Sequence, residues 1–130
     1  MLVKAYSAAV TALEATTITI EVNLTRGTMF HLSGLADTAV KESYDRIRAA
    51  IENNGYKSPT ADLTINMSPA DIRKEGSSYD LPLAIGILAA YSKVSETLLS
   101  QYMMVGELGL DGKIKPVSGV LSIAIRSRKE

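Results

Sequence analysis

The residues with the most chemistry in them lie in one run. Glu75-Gly76-Ser77-Ser78-Tyr79-Asp80 sets two serine hydroxyls and the Asp80 carboxylate before Leu81–Ala90, ten residues without a polar side chain. A glycine loop entering a helix aims backbone N–H groups at the helix N-terminus, where an anion can bind or a nucleophile can sit. Two readings of this run are open. In one, Ser78 is a nucleophile, which requires a lysine or histidine nearby to take its proton. In the other, Ser77, Ser78 and Asp80 satisfy the first turn of the helix, and Arg73-Lys74-Glu75 is a solvated loop face.

The remaining inventory is sparse. His31 is the only histidine and there is no cysteine, so histidine clusters, thiolate metal sites, disulfides and cysteine catalysis are excluded. No Gly-x-x-x-x-Gly-Lys-Ser/Thr phosphate loop occurs. Glu107 and Asp111 flank a turn, and turn chemistry accounts for Asp111. Arg26, Arg73, Lys74, Lys113 and Lys115 could form a weak nucleic-acid patch, but no aromatic residues are interleaved with them. The overall charge, 14 basic against 14 acidic groups, argues against a dedicated nucleic-acid domain.

Length and composition fit one domain, 130 residues with 46% apolar content. Aromatic residues make up only 5% and Trp is absent, so the core must be aliphatic. Met1–Tyr6 does not open a signal peptide, and the apolar run Leu81–Tyr91 falls short of the ~20 residues a membrane span needs. These features predict a soluble, cytoplasmic domain.

The elements that would position the serine run follow from periodicity. Leu2–Val10 reads as a first strand and Thr11–Ala15 as a connection. Thr16–Leu24 alternates strictly, with Ile18, Ile20, Val22 and Leu24 on one face. Thr25-Arg26-Gly27 is a turn, and Thr28–Leu32 a third strand forming a hairpin or meander with the second. Asp37 is a good N-cap for a helix carrying Val40, Tyr44, Ile47 and Ile51 on one face, with Glu42 and Arg46 as an i,i+4 pair on the other. Asn53-Asn54-Gly55 stops that helix. Tyr56–Thr60 is a loop and Ala61–Met67 a strand. The buried helix follows from Leu81, capped by Asp80, with Pro82 in its first turn. Ser92–Leu99 is a connector with a short helical turn. Tyr102–Leu108 and Lys113–Val117 are strands joined at Asp111-Gly112. Gly119–Arg126 begins a last helix, and the chain stops in charged residues as a piece of a longer protein would. The order predicts an α+β fold with helices packed on a mixed β-sheet.

Three ordered blocks, Gly34 to Ser43, Asn66 to Pro82 and Gly106 to Leu121, closely resemble the N-terminal domain of the magnesium-chelatase-like AAA+ ATPases of the YifB/ComM family. The resemblance covers nearly the whole chain. It implies one Lon-like N-terminal domain over residues 1–130, similar to the proteolytic domain of Lon protease and to the second domain of ribosomal protein S-five. In that family an AAA+ motor follows, with ATP and Mg as its cofactors, and full-length members are hexamers. Those of the ComM type are helicases for DNA branch migration in natural transformation. The implied partners are the rest of the protein's own chain, further copies of it, and DNA, with no membrane.

The resemblance to Lon also assigns positions. Lys74-Glu75-Gly76-Ser77-Ser78-Tyr79-Asp80 matches the peptidase block Lys-Asp-Gly-Pro-Ser-Ala-Gly, which puts Ser78 at the nucleophile. Ser118-Gly119-Val120-Leu121 matches Gly-Gly-Leu-Lys, which puts Leu121 where the basic lysine belongs. A leucine cannot accept a proton, and Asp80 would set a negative charge beside an oxyanion. The implied role is a non-catalytic accessory domain for hexamer assembly or for engaging DNA or a partner, without cofactor or metal site of its own. The alternative is a Lon-type Ser-Lys peptidase using Ser78, with Lys113 or Lys115 reaching in as base.

Overall fold

The computed structural model describes residues 2–11, 14–27, 29–57, 62–91 and 93–130. The expected turns and strand starts at Ala12, Leu13, Thr28 and Ala61, the loop around Pro59, and Ser92 lie outside the described residues.

The β-branched alternation of the N-terminal third makes a long ladder. Strand β1 (Leu2–Thr11) pairs antiparallel with β2 (Glu14–Thr25), from Leu2↔Asn23 to Thr11↔Glu14. Strand β4 (Asp62–Ser68) pairs antiparallel with the other edge of β2. Strand β3 (Phe30–Ser33) pairs with β4 and runs parallel to it, so the sheet order is β1-β2-β4-β3. The expected pairing of the third strand with the second does not form. Parallel neighbours need a crossover, and α1 (Thr38–Lys41) with α2 (Ser43–Asn53) supplies it between β3 and β4.

Period two sorts the side chains. Ala5, Ile20 and Met67 form one cross-strand row, and Val3, Val22 and Ile65 the next; all six are buried. Helix α3 (Asp80–Ala90) lies on this face. A Cβ at Gly86 would stand 3.0 Å from Val22 Cγ2, so the glycine lets α3 approach the sheet. Leu83, Ile87, Ala89 and Ala90 of α3 join Val40, Ile47, Ala50 and Ile51 in the same core. Tyr44 stacks on Phe30 with ring centroids 4.0 Å apart, fixing α2 to β3.

Helix α4 (Val120–Lys129) covers part of the opposite sheet face. Thr17, which points away from the Ile18–Ile20 side, donates to Glu130 Oε1 at 2.6 Å and accepts from Arg126 Nε at 3.1 Å. Ile123 is buried there, whereas Leu121 is 76% exposed.

Two expectations shrink. The strands expected over 102–108 and 113–117 reduce to β5 (Glu107–Leu108) and β6 (Ile114–Lys115). Residues 102–106 carry no regular ladder, although Met104 N–H donates to Tyr6 O at 2.8 Å. The first long helix is broken at Glu42 into α1 and α2. Asp37 caps α1 as expected, accepting Val40 N–H at 2.8 Å. The asparagine stop after α2 also clamps the β5–β6 hairpin: Asn53 Nδ2 donates to Leu110 O at 2.8 Å and Asn54 Nδ2 to Asp111 O at 3.0 Å.

Gly34 and Gly55 both have positive φ, 105° and 87°, but their surroundings differ. A Cβ at Gly34 would lie 2.0 Å from Met67 O, while one at Gly55 meets nothing within 4 Å. Gly55→Ala is expected to cost about 1–2 kcal/mol, the left-handed penalty alone. Gly34→Ala must in addition push β3 off β4, so its urea midpoint is expected far below that of Gly55→Ala, or the protein does not fold. Equal midpoints would contradict this packing.

Candidate functional site

The serine run forms one wall of a cleft of about 890 Å³. Residues 8–11 of β1 form a second wall, and residues 116–118 with Ile123 close it. Every residue from 71 to 79 lines the cleft except Lys74. Gly76 adopts φ +81°, and both Ser77 and Ser78 are half-buried at the cleft surface. The charged groups of the lining are Asp71, Arg73 and Glu75, the last two joined at 3.0 Å in an exposed pair. Among the described residues, the lining contains no lysine and no histidine.

Each residue singled out from the sequence has a definite place. No hydrogen bond to the Ser78 hydroxyl is formed among the described residues. Leu121 lies outside the lining and is mostly in solvent. Lys113 and Lys115 are exposed and do not line the cleft; the Lys115 side chain runs beside Gly109. His31 is exposed on β3. Asp111 holds its own turn by accepting Lys113 N–H at 2.9 Å.

Lys74 overturns the expectation of a solvated loop face. It is completely buried, and so cannot contribute to a basic patch. Its ammonium donates to Gly34 O at 2.6 Å and to Pro69 O. Among the described residues no carboxylate comes within ion-pair distance of it. Burial pushes its pKa below the ordinary lysine value, with Asp71 partly offsetting. Its backbone is held as well: Lys74 N–H donates to Leu35 O and Asp37 N–H to Lys74 O, both at 3.0 Å. The Asp37 carboxylate reaches further along the loop to Gly76 N–H at 3.2 Å.

Asp80 is neither a cap nor an intruder beside an oxyanion. It lies inside the first turn of α3, and Tyr79 occupies the cap position without a side-chain cap bond. The carboxylate turns away from the cleft and takes both arms of Arg46: Nε to Oδ2 at 2.7 Å and Nη2 to Oδ1 at 2.9 Å. It also accepts Leu108 N–H at 3.1 Å. Arg46 therefore serves Asp80 rather than Glu42, and one buried carboxylate joins α2, α3 and β5. The sequence offered no sign of this, because the partners are 34 residues apart. The fixed fork of arginine favours such two-armed pairing.

Two predictions follow from these buried groups. Arg46 is 24% exposed and Asp80 is 0% exposed. Arg46→Ala leaves a sealed carboxylate uncompensated and is expected to cost about 3–5 kcal/mol. Asp80→Asn keeps an acceptor for Leu108 N–H and leaves a cation that water can reach, so it is expected to cost less. Urea denaturation of both variants tests the order. Tyr79 gives a pH signature. Burial, with Asp37 and Glu75 adding to it, pushes its phenol from 10.0 up to about 12. The folded state then holds the proton over a range where the unfolded chain has lost it. That stabilisation is complete below pH 10 and fades between 10 and 12, by about 2–3 kcal/mol. Tyr79→Phe is expected to flatten this decline. Lys74 acts in the opposite sense, its burial cost easing as pH approaches 10.5.

Comparison with known proteins agrees with this architecture. The chain is 42% identical over 125 residues to a protein named YifB from Escherichia coli strain K12, and likewise to competence protein ComM from Haemophilus influenzae. Each match covers 95% of this chain and 25% of the relative, so the chain spans about a quarter of the length of these curated relatives. Lon protease 2 of Bacillus subtilis is 31% identical over 81 residues, 62% of this chain and 14% of the relative, which fits a Lon-like α+β fold. The family described as subunit ChlI of Mg-chelatase matches residues 20–130, and the chain belongs to that magnesium-chelatase-like family.

Proposed function

We propose that this chain is a non-catalytic accessory domain of a cytoplasmic, magnesium-chelatase-like AAA+ ATPase. It would serve hexamer assembly, or the engagement of DNA or a partner, in DNA processing. The observation that carries this reading is the fate of the amines around Ser78. A serine hydroxyl is a weak nucleophile until a base takes its proton. The lysine of the serine loop spends its ammonium on two carbonyls outside the cleft. The position that a Lon-type peptidase gives to its base is Leu121, on the exposed surface of α4. This placement of the amines supports a Lon-like scaffold without peptidase chemistry. The cleft rim sets Asp71 and Glu75 against Arg73, an acidic excess that gives DNA no reason to enter there.

ATP and Mg would act in the part of the full-length protein beyond this chain, and the relatives' greater length leaves room for such a motor. The name of ComM ties one relative to competence, which supports a setting in DNA uptake. Removing this domain from the full-length protein is expected to lower hexamer content or branched-DNA processing, read by native mass spectrometry and strand-exchange assays. In the same protein, Ser78→Ala is expected to leave ATP hydrolysis and DNA processing unchanged. The chain should neither cleave casein nor take up a fluorophosphonate probe. Probe labelling that Ser78→Ala abolishes would sink the proposal.

A further inference from the structure

The loop that carries Ser77 and Ser78 is fastened at both ends by a buried charge, and the two fastenings are unlike. Among the described residues, Lys74 and Asp80 are the fully buried charged side chains, one on each side of the serines. Asp80 is compensated by the two arms of Arg46 and by Leu108 N–H. Just before it, Ser78 O accepts Gly106 N–H at 2.9 Å, and Leu81 N–H donates to Gly106 O at 3.0 Å. This end is tied to α2 and β5 by charge and by backbone. The Lys74 ammonium is held by neutral carbonyls alone, those of Gly34 and Pro69, beside the backbone bonds of Lys74 to Leu35 O and Asp37 N–H, both at 3.0 Å.

We infer that Lys74 is a releasable latch and that the serine loop is a strap, swinging about Gly76 while its Asp80 end stays fixed. The energetics favour release at this end. A buried ammonium without a counter-charge recovers its hydration when it leaves, whereas a paired carboxylate would give up its partner. The corner that receives Lys74 is itself strained: Leu35 is held at φ 60°, a left-handed conformation that a leucine rarely adopts. Gly76, at φ +81° with nothing within 4 Å of a built Cβ, has the backbone freedom and open space to act as hinge once its N–H leaves the Asp37 carboxylate, 3.2 Å away. Release widens the cleft on the side of residues 71–75 without disturbing α3. The inference does not depend on the accessory role proposed above.

The test uses the full-length protein. Lys74 is acetylated with N-hydroxysulfosuccinimide acetate at rising urea concentrations below the unfolding transition, with exposed Lys113 as the unprotected reference, and sites are read by peptide mass spectrometry. Amide exchange is followed in parallel. The latch predicts that Lys74 is protected at least about tenfold less than the amides of Ile20 and Ile65, and that its protection is insensitive to urea, the mark of local opening. Protection equal to the core amides and falling with urea alongside them would make Lys74 a static brace and overturn the inference. In Lys74→Met, exchange at Gly76 and Ser77 should rise at least about tenfold while Leu83–Ile87 in α3 stay unchanged. An equal rise in α3, or none at Gly76, would likewise overturn it. Should that variant fail to fold, the labelling of the native protein decides alone.

Discussion

One buried carboxylate organises the half of the molecule that holds the cleft. Asp80 starts the most apolar helix of the chain, yet it is sealed from water. A charge in that position is tolerable only when its acceptor capacity is met, and here Arg46 from α2 and the Leu108 amide from β5 meet it. The consequence is geometric. The N-terminus of α3, the middle of α2 and the start of the β5–β6 hairpin are locked to one point. The asparagine clamps at the end of α2 then fix the far tip of the same hairpin. The cleft wall before Asp80 inherits its position from this joint.

The same joint sets the surroundings of the serine at the mouth of the buried helix. A negative group beside the serine could have interfered with an oxyanion, but Asp80 points the other way. The amines are placed elsewhere as well. Lys74 faces two carbonyls, Lys113 and Lys115 belong to the hairpin surface, and Leu121 lies on the outer side of α4. Among the described residues, the cleft beside the serine loop is lined by no lysine.

The sheet shows a related separation between what packs and what faces outward. Alternation along β1, β2 and β4 sends one row of aliphatics to the core under α2 and α3. The opposite face is polar, with Ser33, Asn66 and Glu21 linked by hydrogen bonds across three strands. α4 covers only the end of that face near Thr17. A core of small aliphatics thus suffices on one side of the sheet, as expected for a chain with few aromatic residues.

Local patterning was enough to specify the strands of the N-terminal half, the cap at Asp37, the stop at Asn53-Asn54-Gly55 and the buried character of α3. Each depends on neighbours within a few residues, where side-chain period and turn chemistry act directly. The three sequence blocks pointed to the family for a different reason, the length of their match. Tertiary structure alone decided the rest. The parallel pairing of β3 with β4 depends on where a crossover helix docks, which periodicity does not encode. The shortness of β5 and β6 reflects pairing partners rather than propensity. The burial of Lys74 and the Arg46–Asp80 pair join residues 34 to 40 positions apart, and a charged side chain looks the same in sequence whether it meets water or a carbonyl. Only the folded chain brings the acceptors that make those burials affordable.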